Sequence, residues 1–186
     1  MPAEFGATPW GRVWMRTVES TVVAAPNPLL PKARSLARNH AVTLTVEGGR
    51  IDAAVVTSGR PHRVRIDVPR WSAREQADAE RLIAEALADH RGLAPGDLPD
   101  TLEADLRHHD VGIAPALADL DAGCECRTRQ RPCVHVLTTL YALSQQLDER
   151  PVLAVELRSS NAKPATPPDP DRIEITAIDV AGFYGD

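Results

Sequence analysis

With 186 residues, 43% of them apolar and 25% charged, the chain can bury a core without many staples, and no apolar run approaches the roughly 18 residues of a bilayer-spanning helix. A net charge of −5 excludes a protein that coats polyanions over its whole surface, yet the charge is segregated: residues 1–75 hold 11 basic against 6 acidic side chains, residues 76–123 hold 3 against 11. Met1 to Trp10 lacks the basic start and apolar stretch of a secretory signal, which predicts a cytoplasmic protein whose three cysteines are free or metal-bound.

Pro9 suits the first turn of a helix that places Trp10 and Trp14 four residues apart, as core residues rather than base-stacking platforms. Pro26, Pro28 and Pro31 break the chain before a basic stretch, Lys32 to Arg38, that can form a short helical turn. From Ala41 the period becomes two. Val42, Leu44 and Val46 alternate with threonines, Gly48-Gly49 turns the chain, and Ile51, Ala53 and Val55 return it. Val64, Ile66 and Val68 alternate with Arg63, Arg65 and Asp67 in a third strand with one apolar and one mostly cationic face, and a three-stranded antiparallel meander is expected.

Ser72 and Glu75 form a capping-box pattern ahead of Ala79, Leu82, Ile83, Ala86 and Leu87, which read as one face of a helix that Gly92 ends. A second helical stretch comes after Pro99 with Leu102 and Leu106, and Pro115 interrupts the chain beyond it. Past Arg158 four prolines and few apolar residues predict an extended linker, after which Ile173, Ile175 and Ile178 suggest a terminal strand and Phe183-Tyr184 a docking element.

The chemistry lies between these regions. Cys124-Glu-Cys126, six residues, then Cys133-Val-His135 offers three thiolates and an imidazole, a full tetrahedral ligand set. Gly123 and Pro132 precede Cys124 and Cys133, where tight turns would present them, and Val136, Leu140, Leu143 and Leu147 mark a helix that puts His135 near its first turn and ends before Pro151. Sulfur ligation favours zinc over magnesium or calcium, while ligand type alone leaves iron and copper open. Four protein ligands leave no position for an activated water, and the chain has no phosphate-binding Gly-rich loop, no Gly-x-Ser-x-Gly elbow and no His-Glu-x-x-His helix; an enzyme is not expected, nor a small-molecule substrate. The pair His108-His109 points its side chains apart and does not suggest a second metal site.

The pattern Cys-x-Cys-x6-Cys-x-His followed by an aliphatic helix resembles the SWIM zinc finger, in particular the bacterial SWIM zinc finger proteins, in which a Trp-Gly-Arg-x-Trp sequence (here Trp10 to Trp14), a basic stretch (here Ala33 to Arg38) and a hairpin precede the finger. The resemblance implies one structural zinc and interaction with DNA or protein, alongside a Swi/Snf-type ATPase or another DNA-processing assembly. The loop differs from the family's common Pro-Asp-Trp and Lys-before-His, reading Arg-Thr-Arg-Gln-Arg-Pro with Val134 before His135. The expected organisation is an α+β region over 1–118, a zinc-stapled turn-helix module of SWIM type over 119–158, and a Pro-rich linker and tail over 159–186. Arg127, Arg129 and Arg131 on the finger loop, with Arg63 and Arg65 on the sheet, are the candidate nucleic-acid contacts. The competing expectation, from the acidic segment and the aromatic tail, is a protein-interaction adaptor without direct nucleic-acid binding; a redox sensor built on the three cysteines is a third.

Overall fold

A computed structural model describes residues 5–19 and 27–160. The terminal strand and the Phe183-Tyr184 element expected near the C-terminus lie outside these residues. Six helices and four strands succeed one another as α1 (Pro9–Glu19), α2 (Leu30–Arg38), β1 (Val42–Glu47), β2 (Arg50–Thr57), β3 (Arg60–Asp67), α3 (Ala73–Asp89), α4 (Asp100–His108), β4 (Asp121–Cys124), α5 (Val134–Glu149) and α6 (Val152–Arg158), with a 3-10 turn at Leu117–Asp119. The fold is α+β. No helix among the described residues is long and apolar enough to cross a membrane.

The expected meander forms, and gains a strand: the sheet runs β1-β2-β3-β4, with every neighbouring pair antiparallel. β4 reads Asp-Ala-Gly-Cys, without a β-branched or aromatic residue, and pairs through backbone bonds that sequence propensity does not signal. It also corrects one local expectation, because Gly123 and Cys124 end a strand rather than forming a turn. Strand parity sorts the side chains. Ile51, Ala53, Val55, Val64 and Ile66 face inward and are buried, while Thr43, Thr45, Asp52, Arg63 and Arg65 face outward and are exposed.

Helix α5 covers the inner face of the sheet and contacts all four strands, with α1, α2 and α6 packed around it. Leu137, Leu140, Tyr141, Leu143 and Leu147 are fully buried on it, and burying such a side chain is worth roughly 1.5–3 kcal/mol, more than a surface ion pair supplies. Two of its buried hydroxyls are satisfied within the helix, Thr138 donating to the Val134 carbonyl at 2.6 Å and Thr139 to that of His135 at 3.0 Å, while Ser144 donates to the Gly11 carbonyl of α1 at 3.1 Å. Against it lies α1, whose Trp10 and Trp14 are fully buried, as expected of core residues. Asp148 of α5 holds the start of α1, accepting the backbone N–H of Gly6 (2.8 Å), Ala7 (3.1 Å) and Thr8 (2.8 Å) and the Thr8 hydroxyl (2.7 Å). The two helices approach so closely that a Cβ on Gly11 would sit 2.7 Å from the Ser144 carbonyl oxygen and 2.3 Å from an Asp148 oxygen.

α3 begins at the expected capping box and packs through Gln76, Ala79 and Leu82. Leu87, expected on the same apolar face, is instead 44% exposed. α6, which the sequence pattern does not announce, starts after Pro151 and closes the body: buried Arg158 donates to the carbonyls of Pro69 and Gly112, and Trp71 Nε1 donates to Gly112 at 2.8 Å.

Candidate metal centre

Three elements converge on one end of the sheet. Cys124 is the last residue of β4, on the inward row beside Val64; Cys126 lies in the loop after it; Cys133 stands at the N-cap of α5, and His135 in the helix's first turn. Their ligand atoms all lie within 4.8 Å of one another, the only such group among the described residues. A tetrahedral centre with Zn–S near ~2.3 Å and Zn–N near ~2.0 Å requires ligand separations of roughly 3.5–3.8 Å. Cys124 Sγ and His135 Nδ1 are 3.7 Å apart. The Cys3His cluster can therefore hold one metal ion and is compatible with a zinc site.

Local chemistry separates two of the thiols. Burial, foremost, pushes the Cys124 thiol up to about 12, against a backbone N–H donated by Cys126. Burial alone would also raise Cys126, but the Thr128 N–H and the neighbouring thiols outweigh it and bring it down to about 7. One sulfur thus ionises readily while its neighbour holds its proton, as expected when like charges share a small volume and no cation neutralises them. Cys133 is fully buried at the N-cap of α5. His135, 6% exposed, has its pKa lowered by burial first and then by His62 and Lys32, so the ring is neutral at pH 7, the form that binds a metal.

The candidate contacts are divided between the finger loop and the sheet. Arg127, Arg129 and Arg131 are exposed on the loop between the ligands, but Arg131 turns back to donate to the Thr128 carbonyl at 2.6 Å. Arg63 and Arg65 stand on the outward face of β3, opposite the row that carries Cys124, and Arg65 is paired with Asp52 at 3.2 Å. His108 and His109 are exposed, their rings edge to face, and join no ligand group among the described residues.

Two neighbours of the centre have no signal in the ligand spacing. Thr57 Oγ1 is 3.2 Å from His135 Nε2, and the His62 ring stacks on His135 with centroids 4.2 Å apart and planes 20° apart.

Likeness to known proteins adds one relative to this geometry. Over 125 residues, 66% of the chain, the sequence is 32% identical to the "Uncharacterized protein Rv2102" of Mycobacterium tuberculosis. The chain spans 45% of that relative's length. No protein-family model matches the chain, and no solved structure matches it.

Proposed function

We propose that the chain is a structural-zinc protein of SWIM type that works as a nucleic-acid-associated accessory factor to a larger DNA-processing assembly, such as a Swi/Snf-type ATPase. The observation that carries this reading is the closed Cys124, Cys126, Cys133, His135 cluster with exposed Arg127 and Arg129 on the loop it spans. Three thiolates select zinc over hard cations, and a fourfold protein ligand set gives the ion a structural task. A loop tied at both ends to a metal presents its cations at low entropic cost, which is what contact with a phosphate backbone requires. No carboxylate among the described residues pairs with Arg127 or Arg129.

Replacing Arg127, Arg129 and Arg131 together with alanine tests the reading. Titration with labelled single- and double-stranded DNA at low and physiological salt should show weaker binding, with the log–log salt slope falling by roughly 2–3, while metal content stays at one ion. Equal binding by parent and variant would remove the loop from the function.

The adaptor reading has its own observation. The outward face of the sheet is an open groove of about 710 Å³ lined by Thr43, Thr45, Ala54, Arg63, Arg65 and Gly123, among others, and its Arg65–Asp52 pairing makes it mixed in charge rather than cationic. Such a face suits a protein partner better than a polyanion. Recovery of one stoichiometric partner that survives nuclease and high salt would favour it.

A further inference from the structure

We propose that Thr57, at the end of β2, is the positioning residue that orients His135 toward the metal, so that the β2–β3 hairpin as well as the Cys-rich segment sets the affinity of the site. The proposal rests on the reading of the cluster as a metal centre. A ligating imidazole must offer a lone pair on one nitrogen and carry its proton on the other, and the partner of that proton fixes which nitrogen is which. Nδ1 is the nitrogen turned to the sulfurs, 3.7 Å from Cys124 Sγ, and Nε2 is the one turned to Thr57 Oγ1, 3.2 Å away. In the metal-bound form Nε2–H donates to the Thr57 hydroxyl oxygen.

A hydroxyl serves this position in a way an acceptor-only group would not, because it both donates and accepts. Before the ion enters, Nδ1–H can donate to Cys124 sulfur while the Thr57 hydroxyl donates to Nε2. With an ion held at Nδ1 the ring would be the other tautomer, its Nδ1 proton released to water and a proton taken from water at Nε2, and the Thr57 hydroxyl would turn to accept from Nε2–H with no heavy atom moved. His135 is buried, so without Thr57 its outer nitrogen would lose the one polar partner the structure gives it on that side.

The hairpin fixes Thr57 in turn. Thr57 pairs with Arg60 across a turn in which Ser58 and Gly59 both have positive φ, 51° and 73°. Its parity is that of Ile51, Ala53 and Val55, which aims it at the inward face. His62 shares that face from β3, and its stacked ring opposes turning His135 over, a motion that would present a carbon to the sulfurs in place of Nδ1.

The test compares Thr57→Val, which keeps the shape and removes the hydroxyl, with Thr57→Ser, which keeps the hydroxyl, in the full chain. Zinc affinity is read by chelator competition, the coordinating nitrogen by long-range ¹H–¹⁵N correlation of the imidazole, and folding by far-UV circular dichroism. Thr57→Val should bind one zinc roughly 10–100-fold more weakly, Thr57→Ser should stay close to the parent, and the loaded parent should show His135 coordinated through Nδ1 with Nε2 protonated. Unchanged affinity in folded Thr57→Val, equal loss in both variants, or coordination through Nε2 overturns the proposal. Should Thr57→Val not fold, the Ser variant and the parent's coordinating nitrogen decide it. A folded parent that takes up no metal overturns the metal-centre reading itself, and this proposal with it.

Discussion

Helix α3 supplies its own start and its own charge partners, whereas the metal end draws what holds it from distant parts of the chain. In α3, Ser72 and Glu75 cap each other, with Ser72 N–H to Glu75 at 2.8 Å, and Arg74, Asp78, Arg81 and Glu85 pair at helical spacing over 3.1–3.9 Å. At the metal end the four ligands come from a strand, a loop and a helix, their outer partners from β2 and β3, and Arg63, Arg127 and Arg129 have no carboxylate partner among the described residues. The contrast divides contacts that one segment encodes by itself from contacts that form only between separate elements.

The largest expected effect is loss of the ion. Cys133→Ser removes a fully buried ligand at the N-cap of α5 and should abolish one-to-one metal uptake. An ion held at a thousandfold over its dissociation constant adds about 4 kcal/mol. At roughly 2–4 °C per kcal/mol this is a fall of about 8–16 °C in unfolding temperature on chelation of the parent. Hydrogen exchange should localise the change to β4, the 125–133 loop, the first turn of α5 and the β2–β3 turn, leaving α3 protected. Uniform loss across α3 and the metal end would dissolve the contrast.

A smaller effect comes from pH. Cys126 is held down at about 7, so above that pH it is already a thiolate and releases nothing when metal binds; below it, each ion must also displace its proton. Cys124, held up near 12, releases a proton throughout. His135 has a lowered pKa, so its stabilising neutral form is fully present above the ordinary histidine value near ~6.5 and is lost as pH falls through the folded value below it. Metal affinity should therefore fall with acidification at every pH from 8 down. Its log should steepen by about one unit per pH unit on passing below 7, where Cys126 joins. A single unbroken slope, measured by chelator competition in buffers of matched ionic strength, would show that Cys126 does not ionise ahead of its neighbours.

How much of the molecule is legible in one dimension obeys the same division. The capping box, the β1–β2 hairpin and the 3.6-residue pattern of α5 are local signals, and each appears where its residues place it. The four ligands are legible because two close pairs of donors are themselves a local pattern. β4 is not, since a four-residue strand of Asp, Ala, Gly and Cys exists only through β3. Thr57 and His62 fall between these cases. Thr57 continues the inward parity of Ile51, Ala53 and Val55, and His62 that of Val64 and Ile66, so the alternation places both on the buried face. Nothing in the spacing says that the first turn of α5 will lie against them.

The smallest expected effect sharpens the other half of the comparison. Ser72→Ala removes the side chain that accepts the Glu75 N–H at 3.3 Å and donates to its carboxylate at 2.6 Å, at an exposed position far in sequence from the ligands. Loss of such a cap costs about 1 kcal/mol. Glu75 is held below the ordinary carboxylate range chiefly by Ser72, so its share of stability is present at neutral pH and lost as pH falls through its depressed pKa. In Ser72→Ala that acid-side loss should shrink, because the folded and unfolded pKa values of Glu75 move together. Zinc affinity should be unchanged in the same variant, since α3 shares no ligand with the metal end. A change in metal affinity here would mean that α3 and the metal centre form one cooperative unit, and that self-sufficiency in sequence does not carry over to independence in the folded protein.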